Sequence, residues 1–365
     1  MRTLCLVLCL LTLCGCANQP VAAPPAKAAA NHLDWKCLWV WGLPRKTLQD
    51  AQHEVAISKS LGFNAIACDG KTQYMKLLMP EARKQGLLVY AVNGAPYGQW
   101  GFAKLGTIQA PPNCVQEFPP EELKAMSVQT DPDLPVNPGP WLCIDRPEAR
   151  KYAADLSVAM LKEYGVDGIA LDWTGYRNYR GCQCEYSRVE RAKFAAAHPE
   201  LSAEQVQKEF SLQRIELYYQ AVRDAVLAEN PKARLMCHIY PQFAAEPLYG
   251  WRLPVEHPAQ TVAWFFKPHW PMQVVEQNCA TVKQTEHKRY AYQVGTGFIG
   301  LDMAPEAVKT PDRLRQEIHA IKAAGLKGFC IAGGAEFLND QGLSDVLSQE
   351  LGGAAHLHPA LVPAK

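Results

Sequence analysis

From Asp34 onward, short apolar or aromatic runs alternate with longer stretches whose apolar residues recur at helical spacing. The runs cover residues 36–42, 63–69, 87–93, 167–173, 233–240, 261–266, 289–295 and 326–332. Most are apolar at consecutive rather than alternate positions, the pattern of strands covered on both faces of a parallel sheet. Glycine marks the turns from helix back to strand, as in Leu61-Gly62-Phe63, Gln85-Gly86-Leu87, Tyr164-Gly165-Val166 and Ala324-Gly325-Leu326. Eight such units in a row predict an α/β fold, a single (β/α)8 TIM barrel over residues 34–351 with a loose tail at 352–365. An open doubly wound sheet is the competing arrangement, but no Gly-x-Gly-x-x-Gly follows a strand.

Two connections exceed a simple crossover, 94–141 after the third strand and 174–231 after the fourth. Loops that long usually carry function, and both belong to the C-terminal face, where barrel enzymes keep their chemistry.

The N-terminus follows a different pattern. Arg2 precedes an apolar stretch over 4–13, too short to span a bilayer and suited to the core of a secretory signal. It ends in Leu13-Cys14-Gly15-Cys16, which resembles the lipobox of bacterial lipoproteins. That resemblance implies a signal peptide over 1–15, lipidation of Cys16, and export to a bacterial membrane, on its periplasmic or outer-membrane face. Residues 16–33, rich in Ala and Pro, read as a lipid-anchored flexible tether.

Composition narrows the partners. With 37 Lys+Arg against 36 Asp+Glu the net charge is +1, which excludes nucleic acid as a main partner. Nine Trp and 14 Tyr supply flat apolar surface suited to stacking on a sugar. Of the 13 cysteines, nine lie beyond Cys16. Cys37, Cys68, Cys237 and Cys330 fall in apolar runs and read as buried small hydrophobes. Cys114, Cys143, Cys182, Cys184 and Cys279 fall in or near loops, where one or two disulfides are expected after export, with the pairing open. Cys182-Gln-Cys184 has no second cysteine pair to complete a zinc site, and Ser187 stands where a further thiol would continue the motif. A disulfide from this loop to Cys114 or Cys279 is therefore preferred, and no metal or cofactor is expected.

The most informative segment is Val166-Asp-Gly-Ile-Ala-Leu-Asp172-Trp173. It places Asp172 at the C-terminal tip of the fourth strand with Trp173 beside it and Tyr176 close by, a carboxylate next to stacking surface. The segment is similar to the fourth-strand signature of family 18 chitinase-like proteins, Asp-Gly-x-Asp-x-Asp-x-Glu. Ala170 replaces the inner Asp and Thr174 the catalytic Glu, which argues against chitinase chemistry. More broadly, Cys143-Ile-Asp-Arg-Pro-Glu-Ala-Arg150, Val166-Asp-Gly-Ile169, Asp172, Cys182-Gln-Cys184, Arg188 and Phe194 follow one another in an order that resembles the hypothetical glycosyl hydrolase families and relatives of the alpha-L-fucosidases. The resemblance covers about 141–198. It implies a glycoside hydrolase in which Asp172 is nucleophile or transition-state stabiliser.

Such chemistry needs a second carboxyl as general acid, roughly 5–5.5 Å from the first for retention or 6.5–9.5 Å for inversion. Glu336 and Glu246 are the leading candidates, ahead of Asp302, which also suits substrate binding or a helix cap. Asp69, Asn93, His238, Tyr240 and Trp264 complete the expected sugar-binding set with Trp173, Tyr176 and Asp302. Trp39, Trp41, Lys267 and His269 stand at strand tips too, though strand alternation sends about half of such residues into the core. The expected activity is hydrolysis of a carbohydrate outside the cytoplasm. The rival is a non-catalytic glycan-binding lipoprotein on the same scaffold.

Overall fold

Eight parallel strands close on themselves in chain order: β1 (Trp35–Trp41), β2 (Ala65–Cys68), β3 (Leu88–Asn93), β4 (Gly168–Leu171), β5 (Arg234–Ile239), β6 (His257–Ala263), β7 (Thr296–Gly300) and β8 (Gly328–Gly334), with β8 pairing back onto β1. The computed structural model describes residues 32–98, 104–119, 122, 140–240, 246–264, 269–301 and 309–354. Around the barrel run α1 (Leu48–Ser60), α2 (Thr72–Lys84), α3 (Pro147–Tyr164), α4 (Glu185–Ala197), α5 (Ala203–Glu229), α6 (Met272–Thr285), α7 (Pro311–Ala323) and α8 (Gln341–Leu351). The (β/α)8 barrel expected from the alternating pattern is the fold. No helix among the described residues is long and apolar enough to cross a membrane.

Local chemistry sets the boundaries. Thr47 and Asp50 form a capping box at the start of α1, and Ser202 and Gln205 do the same for α5. Helix α3 stops at Gly165, whose φ of 67° is left-handed, and the chain re-enters the barrel three residues later. Gly168 is required there by contact. A Cβ at that position would lie 2.2 Å from the Arg234 carbonyl oxygen and 2.8 Å from the Tyr90 ring.

Two strands depart from the sequence expectation. β6 starts four residues earlier than 261–266, because Trp264 already lies past the strand end. The seventh strand is not 289–295 but Thr296–Gly300. The aromatic run at 290–292 forms a turn in which Tyr290 and Tyr292 stack at 5.4 Å and Arg223 covers Tyr292, while the true strand is glycine-rich because Ile321 packs directly on it. The fifth unit also lacks its helix. Among the described residues, the return from β5 to β6 carries only a 3₁₀ turn at Gly250–Arg252.

The barrel interior is filled by Trp35, Cys37, Trp39, Tyr90, Met236, Phe298 and Cys330, with alanines from β2, β4, β6 and β8 between them. Separate apolar layers lie between the strands and the helices. At the N-terminal end of the barrel, His257 is buried flat against Trp35, with centroids 3.9 Å apart, beside a hollow of about 510 Å³. Burial, with Arg234 nearby, pushes the imidazole down to about 3. The unfolded chain takes up this proton near pH 6.5 and the folded one does not. Stability is therefore complete above pH 6.5 and declines as pH falls toward 3, by about 1.4 kcal/mol per pH unit from this residue. Urea unfolding between pH 7 and 4 is expected to show that decline, and His257→Phe to flatten it.

Candidate active site

The register of the sheet brings the site together. Leu171 pairs with Cys237, so the next residues, Asp172 and His238, face each other at the C-terminal end of β4 and β5. The Asp172 amide donates to the Asn93 carbonyl at 3.1 Å, which fixes the backbone just past the strand tip. Asp172 Oδ1 is buried and lies 3.3 Å from His238 Nδ1.

The neighbours of His238 set the orientation of its ring. The Thr261 hydroxyl donates to the Ile239 carbonyl at 2.8 Å, so its oxygen offers lone pairs to His238 Nε2, 3.1 Å away. Nε2 is then placed to donate to Thr261, and Nδ1 faces Asp172 Oδ1. Burial holds the imidazole below its ordinary value, against the pull of Asp172 in the other direction. Thr261 reaches this position from an irregularity in the pairing of β6 with β7, a feature common beside active sites. Stacking on Phe298 at 3.7 Å holds the histidine ring in place. Oδ1 is thus covered by the histidine, and the small exposed part of Asp172 lies at the mouth of the barrel.

Trp173 forms the wall beside it. Its φ of 56° is left-handed, a costly conformation for a large side chain, on the order of 1–3 kcal/mol. That turn places the indole between Tyr97, at 4.5 Å, and Tyr240, at 5.1 Å, both nearly parallel to it. Trp141 meets Tyr97 and Trp173 edge-on, while Tyr240 meets Trp264 edge-on and Trp264 stacks on Trp270. The result is an aromatic arc around Asp172 built from β5, the segment after β6, and the two long loops.

The other sequence candidates divide. His238, Tyr240, Trp173 and Trp264 join Asp172 at this arc. Glu336 follows β8, on the opposite side of the barrel from β4, and is exposed, with its carboxylate folded back over Gly334 near Trp41. Asp69 is an exposed carboxylate at the end of β2, ion-paired with Arg45, which also holds Glu54 at 2.7 Å. Glu246 is not at the arc. Lys208 of α5 holds it at 3.2 Å and Arg252 lies 3.9 Å away, so it belongs to the outer helix layer. Asn93 points outward, because its amide bonds the Ala153 carbonyl and Ser157 of α3 and its oxygen accepts from Ala95. Its contribution to the site is its carbonyl. Tyr176 is fully buried with its hydroxyl donating to Asp145 at 2.5 Å, which makes it a support under the loop rather than a stacking surface. Asp302, Lys267 and Cys16 lie outside the described residues.

Sequence reasoning missed Tyr97, Trp141 and Thr261. The first two stand at the ends of the long loop after β3 and are joined by an antiparallel bridge. Only their position at the margins of that loop could have suggested them. The nine cysteines from Cys37 to Cys330 are all buried and free, so the expected disulfides to Cys114 or Cys279 are replaced by a different grouping. Cys184 lies 3.8 Å from Cys143 Sγ and close to Cys182.

No family model and no curated protein matches the chain. Solved structures do, at low identity. The PgaB (BpsB) glycoside hydrolase domain from Bordetella bronchiseptica aligns with a TM-score of 0.61 and 12% identity, over 86% of this chain and 99% of that one. A β-galactosidase from the Antarctic haloarchaeon Halorubrum lacusprofundi aligns at 0.57 and 10%, over 89% of this chain and 59% of that one. The catalytic domain of a β-amylase from Paenibacillus polymyxa aligns at 0.50 and 10%, over 88% and 98%. These neighbours are glycoside hydrolases, and what they share with this chain is the barrel.

Proposed function

We propose that the protein is a glycoside hydrolase that binds a carbohydrate in the aromatic arc and cleaves it with Asp172. The reading is carried by one observation: a carboxylate at the tip of β4, paired with His238 and set beside an indole that is held in a strained backbone turn. The partly exposed Trp173, its two faces covered by Tyr97 and Tyr240, offers its edge to a sugar, and Asp172 is placed to meet an anomeric carbon as nucleophile or to stabilise positive charge there. Glu336 is the partner carboxylate in this scheme, general acid from across the mouth. Glu246, held by Lys208 and Arg252, is set aside. That the structural neighbours are glycosidases supports the same reaction class. Kinship to the hypothetical glycosyl hydrolase families and the alpha-L-fucosidases rests on the motifs over 141–198.

The test is release of reducing ends from a broad glycan panel by the full chain, compared with Asp172→Asn. Turnover that the substitution removes supports the reading. Turnover that it leaves intact defeats the site assignment, and glycan binding without any turnover moves the protein to the class of non-catalytic binders.

We further propose that the chain is exported and anchored by lipid on Cys16, as the Leu13-Cys14-Gly15-Cys16 segment suggests. Mass spectrometry of the mature N-terminus is expected to find an acylated Cys16, and Cys16→Ala to move the protein from the membrane fraction to the soluble one.

A further inference from the structure

Beneath the wall made by Tyr97, Trp141 and Trp173, the two long loops converge on one cluster of side chains. Cys143, from the loop after β3, meets Cys182 and Cys184, from the loop after β4, and the three Sγ atoms lie within 4.8 Å of one another, all buried. Cys143 Sγ is 3.8 Å from Cys184 Sγ. The Ser187 hydroxyl is 3.4 Å from Cys143 Sγ and 3.2 Å from Cys184 Sγ. The Cys143–Cys184 distance and the two to Ser187 are close to the edges of a small tetrahedron, with Cys182 Sγ within 4.8 Å of the other two sulfurs. A Zn–S bond of ~2.3 Å sets sulfur-to-sulfur edges of about 3.8 Å, and a Zn–O bond of ~2.0 Å sets sulfur-to-oxygen edges of about 3.5 Å. A disulfide needs sulfurs ~2.05 Å apart and leaves the third thiol over.

Around Cys182 and Cys184 the surroundings favour sulfur that carries negative charge, whereas Cys143 faces the buried Asp145 carboxyl. The amides of Glu117 and Cys184 donate to Cys182 Sγ at 3.3 and 3.4 Å, and the amide of Ser187 donates to Cys184 Sγ at 3.5 Å. A neutral thiol is a weak acceptor, so backbone amides turned onto two of these sulfurs suit thiolates. Cys184 is the N-cap of α4, where the helix end is electropositive, and the Arg146 guanidinium lies beside it.

We propose that Cys143, Cys182 and Cys184, with the Ser187 oxygen at the fourth corner, bind one thiophilic divalent cation of tetrahedral preference, Zn²⁺, that clips the loop after β3 to the loop after β4. Cys182-Gln-Cys184-x-x-Ser187 is then a metal loop whose third sulfur is replaced by a hydroxyl, the missing thiolate arriving from Cys143 in the other long loop. Three thiolates and one dication leave a single negative charge beside the buried Asp145 carboxyl, with Arg146 and the helix end as counter-charges. The role is structural. Cys143 is two residues from Trp141, and the other three ligands close the loop that begins with Asp172 and Trp173, so the cation stiffens the aromatic wall without touching substrate.

The full chain, purified under reducing conditions and stripped of metal, is titrated with Zn²⁺ and separately with Co²⁺. One cation per chain is expected by native mass spectrometry, and the Co²⁺ form is expected to show the visible bands of a tetrahedral site with thiolate-to-cobalt charge transfer in the near ultraviolet. Ser187→Cys completes a four-sulfur set and is expected to tighten Co²⁺ binding roughly tenfold or more while strengthening the charge-transfer band. Cys184→Ser is expected to abolish both signals. Cys279→Ser, on α6 in the other outer layer, leaves them unchanged. Failure of both the wild type and Ser187→Cys to take up stoichiometric metal overturns the proposal, as does a disulfide within the trio in peptide mapping of the unreduced protein. If Cys184→Ser does not fold, the wild-type titration and Ser187→Cys decide the matter. All of these readouts are independent of any glycan, so the proposal stands or falls apart from the hydrolase reading.

Discussion

Asp172→Asn is expected to lower turnover of a glycan substrate by on the order of 10⁴-fold while leaving the protein folded and able to bind that glycan. The substitution keeps the size of the side chain and the bond from its backbone amide to the Asn93 carbonyl. It removes the negative charge, which is the one feature a nucleophile or charge stabiliser cannot lose. Binding survives because the aromatic arc supplies most of the contact area and stays in place. The measurement is kcat and KM for wild type and variant, with glycan affinity measured separately by calorimetry. A variant that loses binding and turnover together would instead make Asp172 a structural residue.

Glu317→Gln is expected to destabilise the domain by about 3–5 kcal/mol, because it breaks a buried ion pair and leaves its partner behind. Glu317 and Lys309 are both fully buried and 2.7 Å apart, and Glu317 also accepts from Arg313 at 2.7 Å. Arg313 in turn donates to the Trp270 carbonyl, and Trp270 stacks on Trp264 of the arc. The network thus ties α7 to the back of the proposed sugar site. Replacing both partners, Lys309→Met with Glu317→Leu, is expected to recover part of the loss, since Lys309 no longer lacks its counterpart while Arg313, partly exposed, still loses one. Chemical denaturation of the single and double variants checks this. A single variant as stable as the wild type would show that the pair contributes little.

The barrel was legible because strands covered on both faces leave unbroken apolar runs, and because glycines close the helices at fixed points such as Gly62, Gly86 and Gly165. It was misread where aromatic residues outweigh glycine in strand preference. Tyr290 and Tyr292 look like strand yet form a turn, whereas Thr296–Gly300 looks like loop yet must be small to admit Ile321. Asp172 was legible because the strand before it is unambiguous and fixes where its tip falls.

The direction of a side chain after a strand tip was not legible. Asn93 and Tyr176 sit at the right height and point away from the mouth, toward Ser157 and Asp145. Trp173 points across it because of a left-handed backbone turn that no local pattern announces. Contacts between distant loops were hidden for the same reason. The pairing of Tyr97 with Trp141, and of Cys143 with Cys184, depends on how two long connections meet in space.

The most direct test of the central claim is a crystal structure of Asp172→Asn soaked with an oligosaccharide that the wild type cleaves. The account predicts a pyranose ring against the exposed edge of Trp173, with its anomeric carbon over the side chain of residue 172 and the glycosidic oxygen toward Glu336. A saccharide bound elsewhere on the barrel, with no sugar against Trp173, would contradict it.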